Sequence, residues 1–185
     1  YFEKIQAVLQ RHGELFVADE VICGFGRTGN LWGCQTFGIT PDIMVTAKAL
    51  SAGCAPIAAV LVSQAIYDIL LSTSERYGMF GHGFTYAGHP LSAAIALEAL
   101  KIYEERDIIG HVRAVAPHFQ QGLRRFAHSP LVGEVRGGGL VGAVQLVRDK
   151  ATRALFDPKQ RVGLHLIERA QAYGLITRSM ADAIA

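Results

Sequence analysis

The sequence predicts an α/β fold in which a mainly parallel sheet has helices on both faces. Three short apolar segments, at residues 15–18, 43–47 and 57–62, are typical of buried strands. Segments with apolar residues at helical spacing lie at residues 1–12, 64–71 and 90–106. Strands that alternate with helices in this way favour parallel pairing and covered sheet faces.

The helix boundaries follow from a few residues. The first helix carries Phe2, Ile5 and Val8 on one face, and Gly13 is a suitable residue to end it. The helix from residue 90 to about residue 106 begins at Pro90, which is favoured at the first helical position. Both signals predict regular helices on either side of the strand region.

The composition of the chain shifts near Gly110. A helix at residues 107–127, interrupted or kinked at Pro117, is suited to connect two domains. Residues 133–139 are glycine-rich and lead into a strand at residues 140–147. A helix at residues 160–173 ends at Gly174, and residues 175–178 form a last predicted strand.

Charge and cysteine content exclude several classes of protein. The 185 residues carry a net charge of +2, which gives no reason to expect nucleic acid or a membrane surface as a partner. Three cysteines without a CxxC pair are expected to be reduced, buried thiols of a cytoplasmic protein. The histidines lack metal-ligand spacing, so no metal site is predicted. The chain starts without methionine and ends in an apolar run, so both ends look cut.

Asp19 and Lys48 are the candidate reactive residues. Each follows an apolar segment, and Lys48 is the only charged residue between Ile43 and Tyr67. Taken singly, such a lysine is usually a strand end that reaches solvent, and such an aspartate is usually a turn residue. Together they match what pyridoxal phosphate needs, namely an amine for a Schiff base and a carboxylate for the pyridine nitrogen. Small neighbours leave room for a flat ring, and desolvation would favour the neutral amine.

Two further local patterns bear on the site. On a continuing strand Val21 would share a face with Asp19 and could pack on the cofactor ring. Residues 24–29 match the letters GxGxxG of dinucleotide-binding proteins. No helical pattern follows directly, and position 49 is Ala49 where an acidic residue is required. A glycine-rich loop leaving the strand is the favoured interpretation, and a dehydrogenase ranks well behind.

Longer motifs resemble the class III pyridoxal-phosphate-dependent aminotransferases. The resemblance is carried by residues 16–21, 24–29, 41–43, 47–53 and 83–90, with spacings of 29 residues from Asp19 to Lys48 and 37 from Lys48 to Thr85. It covers essentially the whole chain and is closest to the omega-amino acid:pyruvate transaminase branch. It implies the α/β fold of pyridoxal-phosphate-dependent transferases of fold type I. Residues 1–115 would form a later part of the large domain, and residues 116–185 part of a small C-terminal α+β domain.

The resemblance also implies residue roles. Lys48 would hold the cofactor and shuttle a proton, Asp19 would pair with the ring nitrogen, and Val21 would pack on the ring. Phe84, through its backbone, and Thr85 would bind the cofactor phosphate of the neighbouring subunit in a homodimer. Arg178 would grip a substrate carboxylate, although a surface arginine at a strand end is equally expected there.

The reaction predicted from this resemblance is transamination from a primary amine or omega-amino acid to a keto acid such as pyruvate. An aminomutase or racemase of the same fold would use the same aspartate and lysine. A third alternative is an inactive, truncated chain. This form would lack the parts of the family's site that precede Tyr1, and poor retention of the cofactor is then expected.

Overall fold

The computed structural model describes all residues, 1–185, and divides them into two compact units, residues 1–111 and 112–185. The division falls within one helix, four residues before the domain boundary expected from the sequence. No helix combines the length and apolar character that crossing a membrane requires.

The first unit contains a small sheet and the helices that precede and follow it. Its strands are β1 (Val17–Asp19), β2 (Ile43–Thr46) and β3 (Ala59–Val62). Its helices are α1 (Phe2–His12), α2 (Gly33–Thr36), α3 (Gln64–Tyr77), α4 (Pro90–Glu105) and the start of α5 (Ile108–Arg124). Gly13 ends α1 in the left-handed conformation at φ 68°, and Pro90 is the first residue of α4.

The sheet of the first unit has the order β1-β2-β3 and differs in part from the prediction. β1 and β2 are parallel as expected, but β3 runs antiparallel to β2. The prediction that the faces of the sheet are covered was also wrong, because Val17 is 53% exposed and Val60 is 62% exposed. In the order β1-β2-β3 the two outer strands, β1 and β3, are the edge strands of the sheet.

Asp42, just before β2, forms hydrogen bonds with the residue that precedes β1 and with the residue that follows β3. Its carboxylate accepts the backbone N–H of Phe16 at 2.7 Å, and its own N–H donates to the Phe16 carbonyl at 2.9 Å. The Asp42 carbonyl accepts the N–H of Ser63, just after β3, at 2.8 Å. One residue thereby aligns β1 with β2 before the strands reach their carboxyl ends.

The second unit is an antiparallel sheet with helical flanks. The sheet order is β4 (Val132–Gly138), β5 (Val141–Leu146), β7 (Ala183–Ile184), β6 (Ser179–Met180), and α6 spans Val162–Ala172. Val132, Val144 and Leu146 form the centre of its core. The helix predicted at residues 107–127 corresponds to α5 with Pro117 inside it, followed by a 3₁₀ turn at Arg125–His128.

One strand prediction in this unit is confirmed and another was wrong. The strand expected at residues 140–147 is β5, although most of the glycine-rich residues 133–139 that lead into it form a strand of their own, β4, which pairs with β5 in a hairpin. Residues 175–178 were expected to form a strand and lie in none; the strands come just afterwards, as the β6–β7 hairpin. Leu175 and Ile176 are exposed at 59% and 87%, so their apolar character does not mark a buried strand.

Candidate active site

Asp19 and Lys48 lie at the same end of the first unit's sheet, its carboxyl edge, where β1 and β2 both end. Asp19 ends β1 in register with Val45 of β2, and β2 ends one residue later at Thr46. The backbone N–H of Glu20 donates to the Val45 carbonyl at 2.8 Å, so the pairing persists to the end of β1. Because the strands are parallel, the chain leaves both at their carboxyl ends, where open α/β sheets bind ligands.

Lys48 begins a 3₁₀ turn, Lys48–Ser51, with an unusual backbone. Its φ is +43° and that of Ala52, which closes the turn, is +52°; both lie in the left-handed region that favours glycine. The N–H of Gly53 donates to the Lys48 carbonyl at 3.2 Å, and the N–H of Ala52 to that of Ala49 at 3.1 Å. Lys48 itself is exposed, so the expectation of a desolvated amine was wrong.

The Asp19 carboxylate is exposed and only partly engaged. One oxygen accepts the backbone N–H of Val21 at 3.0 Å, and the other has no hydrogen-bond partner within the chain. The strand ends at Asp19, so the premise that Val21 shares a strand face with it was wrong. A tight turn brings the two residues together instead, and leaves Val21 half-buried beside the carboxylate.

Glu20 is a buried residue of this region that the sequence analysis missed. Only 3% of it is exposed, and its carboxylate accepts the N–H groups of Gly33 at 2.8 Å and Cys34 at 2.6 Å. It thus anchors the loop that follows Asp19 to the start of α2. Burial, together with the nearby Glu20 carboxylate, raises the pKa of the Cys34 thiol.

The glycines of residues 24–29 allow close contacts and left-handed backbone conformations in this loop. A Cβ on Gly24 would lie 2.8 Å from the Glu20 carbonyl and 3.0 Å from the Trp32 ring. Gly26 and Gly29 have φ of +103° and +91°. The chain continues in turns, and only the four-residue α2 follows at Gly33. The prediction of a glycine-rich loop is confirmed.

Two side chains hold the turn that carries Lys48, and the sequence analysis missed both. The Tyr103 hydroxyl, from α4, donates to the Ala49 carbonyl at 2.6 Å. The Ser51 hydroxyl, 1% exposed, donates to the Ala55 carbonyl at 2.6 Å. Burial raises the pKa of the Tyr103 hydroxyl, so it remains a donor.

Phe84 and Thr85 lie in an exposed segment, residues 78–89, between α3 and α4. Phe84 is 78% exposed, and its carbonyl accepts the N–H of Ala87 at 2.9 Å in a turn that contains Thr85. The ring of His82 lies between those of Phe80 and Phe84, with centroids 5.8 and 5.7 Å away. No hydrogen bond or ring contact joins Phe84 or Thr85 to Asp19 or Lys48.

Arg178 lies in the second unit, immediately before β6. Its backbone exchanges two hydrogen bonds with Ala185, at 3.0 and 3.3 Å, and its guanidinium is 3.2 Å from the Met180 sulfur. The side chain is exposed and pairs with no carboxylate. The β6–β7 hairpin turns at Ala181, whose φ is +52°.

A family model described as aminotransferase class-III matches residues 1–185. The chain belongs to the class-III aminotransferases. Enzymes of this class depend on pyridoxal phosphate, and the chain has their α/β architecture of fold type I.

Related class-III aminotransferases include plant enzymes. Gamma aminobutyrate transaminase 3, chloroplastic, of Solanum lycopersicum is 48% identical over 184 residues, which are 100% of this chain and 35% of the relative. Vanillin aminotransferase of Capsicum annuum is 48% identical over 182 residues, 98% of this chain and 40% of the relative. The chain therefore spans well under half the length of these relatives.

A solved structure of the omega transaminase from Pseudomonas jessenii, in complex with PMP, has the same architecture. It superposes with a TM-score of 0.95 at 47% identity, over 100% of this chain and 41% of that one. The class-III assignment thus holds at the level of both sequence and fold.

The residues at the carboxyl edge fit the cofactor of the class-III aminotransferases. Asp19 offers an unpartnered carboxylate oxygen, and Lys48 offers an exposed amine. Small residues flank the lysine, and a Cβ on Gly53 would meet no atom within 4 Å. An amine, a carboxylate and open space beside them are the features that a flat, protonated pyridine ring with an aldehyde requires.

Proposed function

We propose that this chain carries the lysine-bearing part of a transaminase that moves an amino group from a primary amine or omega-amino acid to a keto acid such as pyruvate. The observation that carries the proposal is the common sheet edge of Asp19 and Lys48 in a chain that matches the class-III aminotransferases throughout. The names of the relatives, gamma aminobutyrate transaminase and vanillin aminotransferase, support amino-group transfer over the isomerisations of an aminomutase or racemase.

Lys48, Asp19 and Val21 are proposed to hold the cofactor. When bound, pyridoxal phosphate supplies an aldehyde for an amine and a ring that accepts electrons. The Lys48 Nζ would anchor it and would move a proton at the reacting carbon of the substrate. The free Asp19 oxygen would accept a hydrogen bond from the ring nitrogen and keep it protonated, and Val21 would pack on the ring. The PMP complex of the Pseudomonas jessenii enzyme supports a cofactor of this type.

Phe84 and Thr85 are proposed to act across a homodimer. Their exposure, and the lack of any contact with Asp19 or Lys48, are compatible with a phosphate bound by the partner's site. The Thr85 hydroxyl and the N–H groups of the turn that follows Phe84 are suitable donors to a phosphate. Dimer formation would then be required for tight cofactor binding.

Arg178 is proposed to bind the carboxylate of an amino acid or keto acid substrate. Its guanidinium is exposed and pairs with no acidic group, so its donors are available for a bidentate contact.

We further propose that the large and small domains divide at residues 115/116. A cytoplasmic location is proposed from the unpaired cysteines, whereas relatives carry chloroplastic and mitochondrial names.

The experiment that tests the function is borohydride reduction of the purified chain with pyridoxal phosphate, followed by peptide mass mapping. Reduction links the cofactor to the amine that holds it, so we expect a phosphopyridoxyl group on the Lys48 peptide. The exposed Lys101 serves as an internal reference for non-specific labelling, since it lies on α4 in weak surface pairs with Glu98 and Glu105.

Matched variants make the result specific. Lys48→Arg should abolish the adduct and any amine-dependent formation of alanine from pyruvate, whereas Lys101→Arg should change neither. Asp19→Asn should weaken cofactor binding, because an amide does not stabilise the protonated ring nitrogen as a carboxylate does. Equal labelling of Lys48 and Lys101 in the folded chain would refute a specific cofactor site at Lys48.

A further inference from the structure

Tyr103 contacts both loops that leave the carboxyl edge of the sheet. Its hydroxyl donates to the Ala49 carbonyl at 2.6 Å, one residue after Lys48. The centroid of its ring lies 6.0 Å from that of Phe25, in the loop that follows Asp19. A single residue of α4 is therefore in contact with the lysine turn and with the aspartate loop, which are far apart in sequence.

The backbone on both sides of this contact needs support from its surroundings. Lys48 and Phe25 have φ of +43° and +61°, and non-glycine residues persist in that region only where neighbouring groups hold them. The 3₁₀ turn that starts at Lys48 is a single turn and cannot supply that support alone. The hydrogen bond from Tyr103 and the packing of α4 against the turn provide it.

The tyrosine is well suited to this task. It projects from the last turns of a regular 16-residue helix, so its backbone is fixed independently of the two loops. Its hydroxyl is partly buried, and its raised pKa keeps the proton that the hydrogen bond uses. Phe25 is 7% exposed and also packs on Trp32, at 4.9 Å between ring centroids, so the aspartate loop presents a firm surface to the tyrosine ring.

We infer that Tyr103 is a positioning residue, which sets the Lys48 amine at the correct place relative to the Asp19 carboxylate. It acts through the backbone of the lysine turn and touches neither side chain. The inference rests on the proposed function for its chemical consequence, because correct placement matters when one cofactor must meet both groups. The structural part, that the hydroxyl holds the turn, stands on the contacts alone.

The test compares Tyr103→Phe with Tyr67→Phe. Tyr103→Phe removes only the hydroxyl and keeps the ring contact with Phe25. Tyr67 lies on α3, is 51% exposed, and serves as the matched control. The first readout is hydrogen exchange of the amides of Ala52 and Gly53, whose bonds close the turn. Loss of one hydrogen bond is expected to speed their exchange about five-fold in Tyr103→Phe, and not in the control.

The second readout is the partition of borohydride-fixed pyridoxal phosphate between Lys48 and Lys101. The ratio is expected to fall about five-fold in Tyr103→Phe, because the amine is no longer held at one place. A change in the pH profile of the cofactor absorption band should accompany it. A residue that only stabilised the fold would lower the melting temperature and leave this ratio and profile unchanged.

The outcomes separate the inference from the proposed function. Unchanged exchange in the turn overturns the inference, whatever the labelling. Faster exchange with an unchanged labelling ratio overturns it as well, because the turn would then loosen without displacing the amine. Failure of the unsubstituted chain to label Lys48 preferentially overturns the proposed function instead, and exchange still decides whether Tyr103 holds the turn.

Discussion

Removal of the Glu20 carboxylate should strongly destabilise the first unit. Glu20→Ala deletes the acceptor of two backbone N–H groups, those of Gly33 at 2.8 Å and Cys34 at 2.6 Å, at a site that is 3% exposed. Hydrogen bonds to a charged group contribute about 1.5–3 kcal/mol each, so the loss of two should lower the free energy of unfolding by about 3–6 kcal/mol. Glu20→Gln keeps one acceptor oxygen and should lose about half as much.

Urea unfolding followed by the fluorescence of the single tryptophan measures this effect. Trp32 lies in the anchored loop, and its ring is 4.9 Å from that of Phe25, so its emission reports on the region that Glu20 holds. Glu14→Ala is the matched control, because Glu14 is exposed. If Glu20→Ala lowers the free energy of unfolding by less than about 1 kcal/mol, and the slope of that free energy against urea concentration is unchanged, Glu20 does not anchor the loop as described.

Three further predictions concern thiols, pH and backbone strain. Exposed Cys54 should react with iodoacetamide long before buried Cys34. Glu20→Gln should speed the alkylation of Cys34 at pH 8, because the Glu20 carboxylate contributes to the raised pKa of that thiol. An unchanged rate of Cys34 alkylation in Glu20→Gln would contradict this effect of the carboxylate. Hydrogen bonds from Thr152 and Ala151 lower the pKa of Asp149 below its ordinary value of 3.8. Its contribution to stability should therefore be present above pH 3.8 and disappear as the pH falls through the lowered pKa, so unfolding curves of the unsubstituted chain and Asp149→Asn should converge in acid. Ala181→Gly should stabilise the second unit by about 1 kcal/mol in urea unfolding, since the φ of Ala181 is +52°, and a loss of stability would exclude strain there.

The placement of Asp19 and Lys48 could be predicted because it depends on local patterns. An apolar segment followed by a charged residue marks the end of a buried strand, and parallel pairing brings such ends to one edge. The antiparallel direction of β3 was missed, although the sequence held a clue. Only residues 47–58 separate β2 from β3, and no α-helix lies between them to carry the chain back across the sheet.

Other features were not accessible from local patterns. Tyr103 and Ala49 are 54 positions apart, and nothing in either segment identifies the other as its partner. β4 was missed because its glycines lower the propensity for a strand, and its stability comes from pairing with β5. Burial of Glu20 depends on the return of the chain at Gly33, which a pattern around residue 20 does not reveal.

The two open edges of the three-stranded sheet have a practical consequence for the 185-residue chain in solution. An edge strand presents unpaired N–H and C=O groups, and here β1 and β3 also expose Val17 and Val60. Such edges are templates for the addition of a further strand from any chain that meets them. Concentrated samples should therefore self-associate through strand addition, and scattering measured against protein concentration would reveal the onset of aggregation.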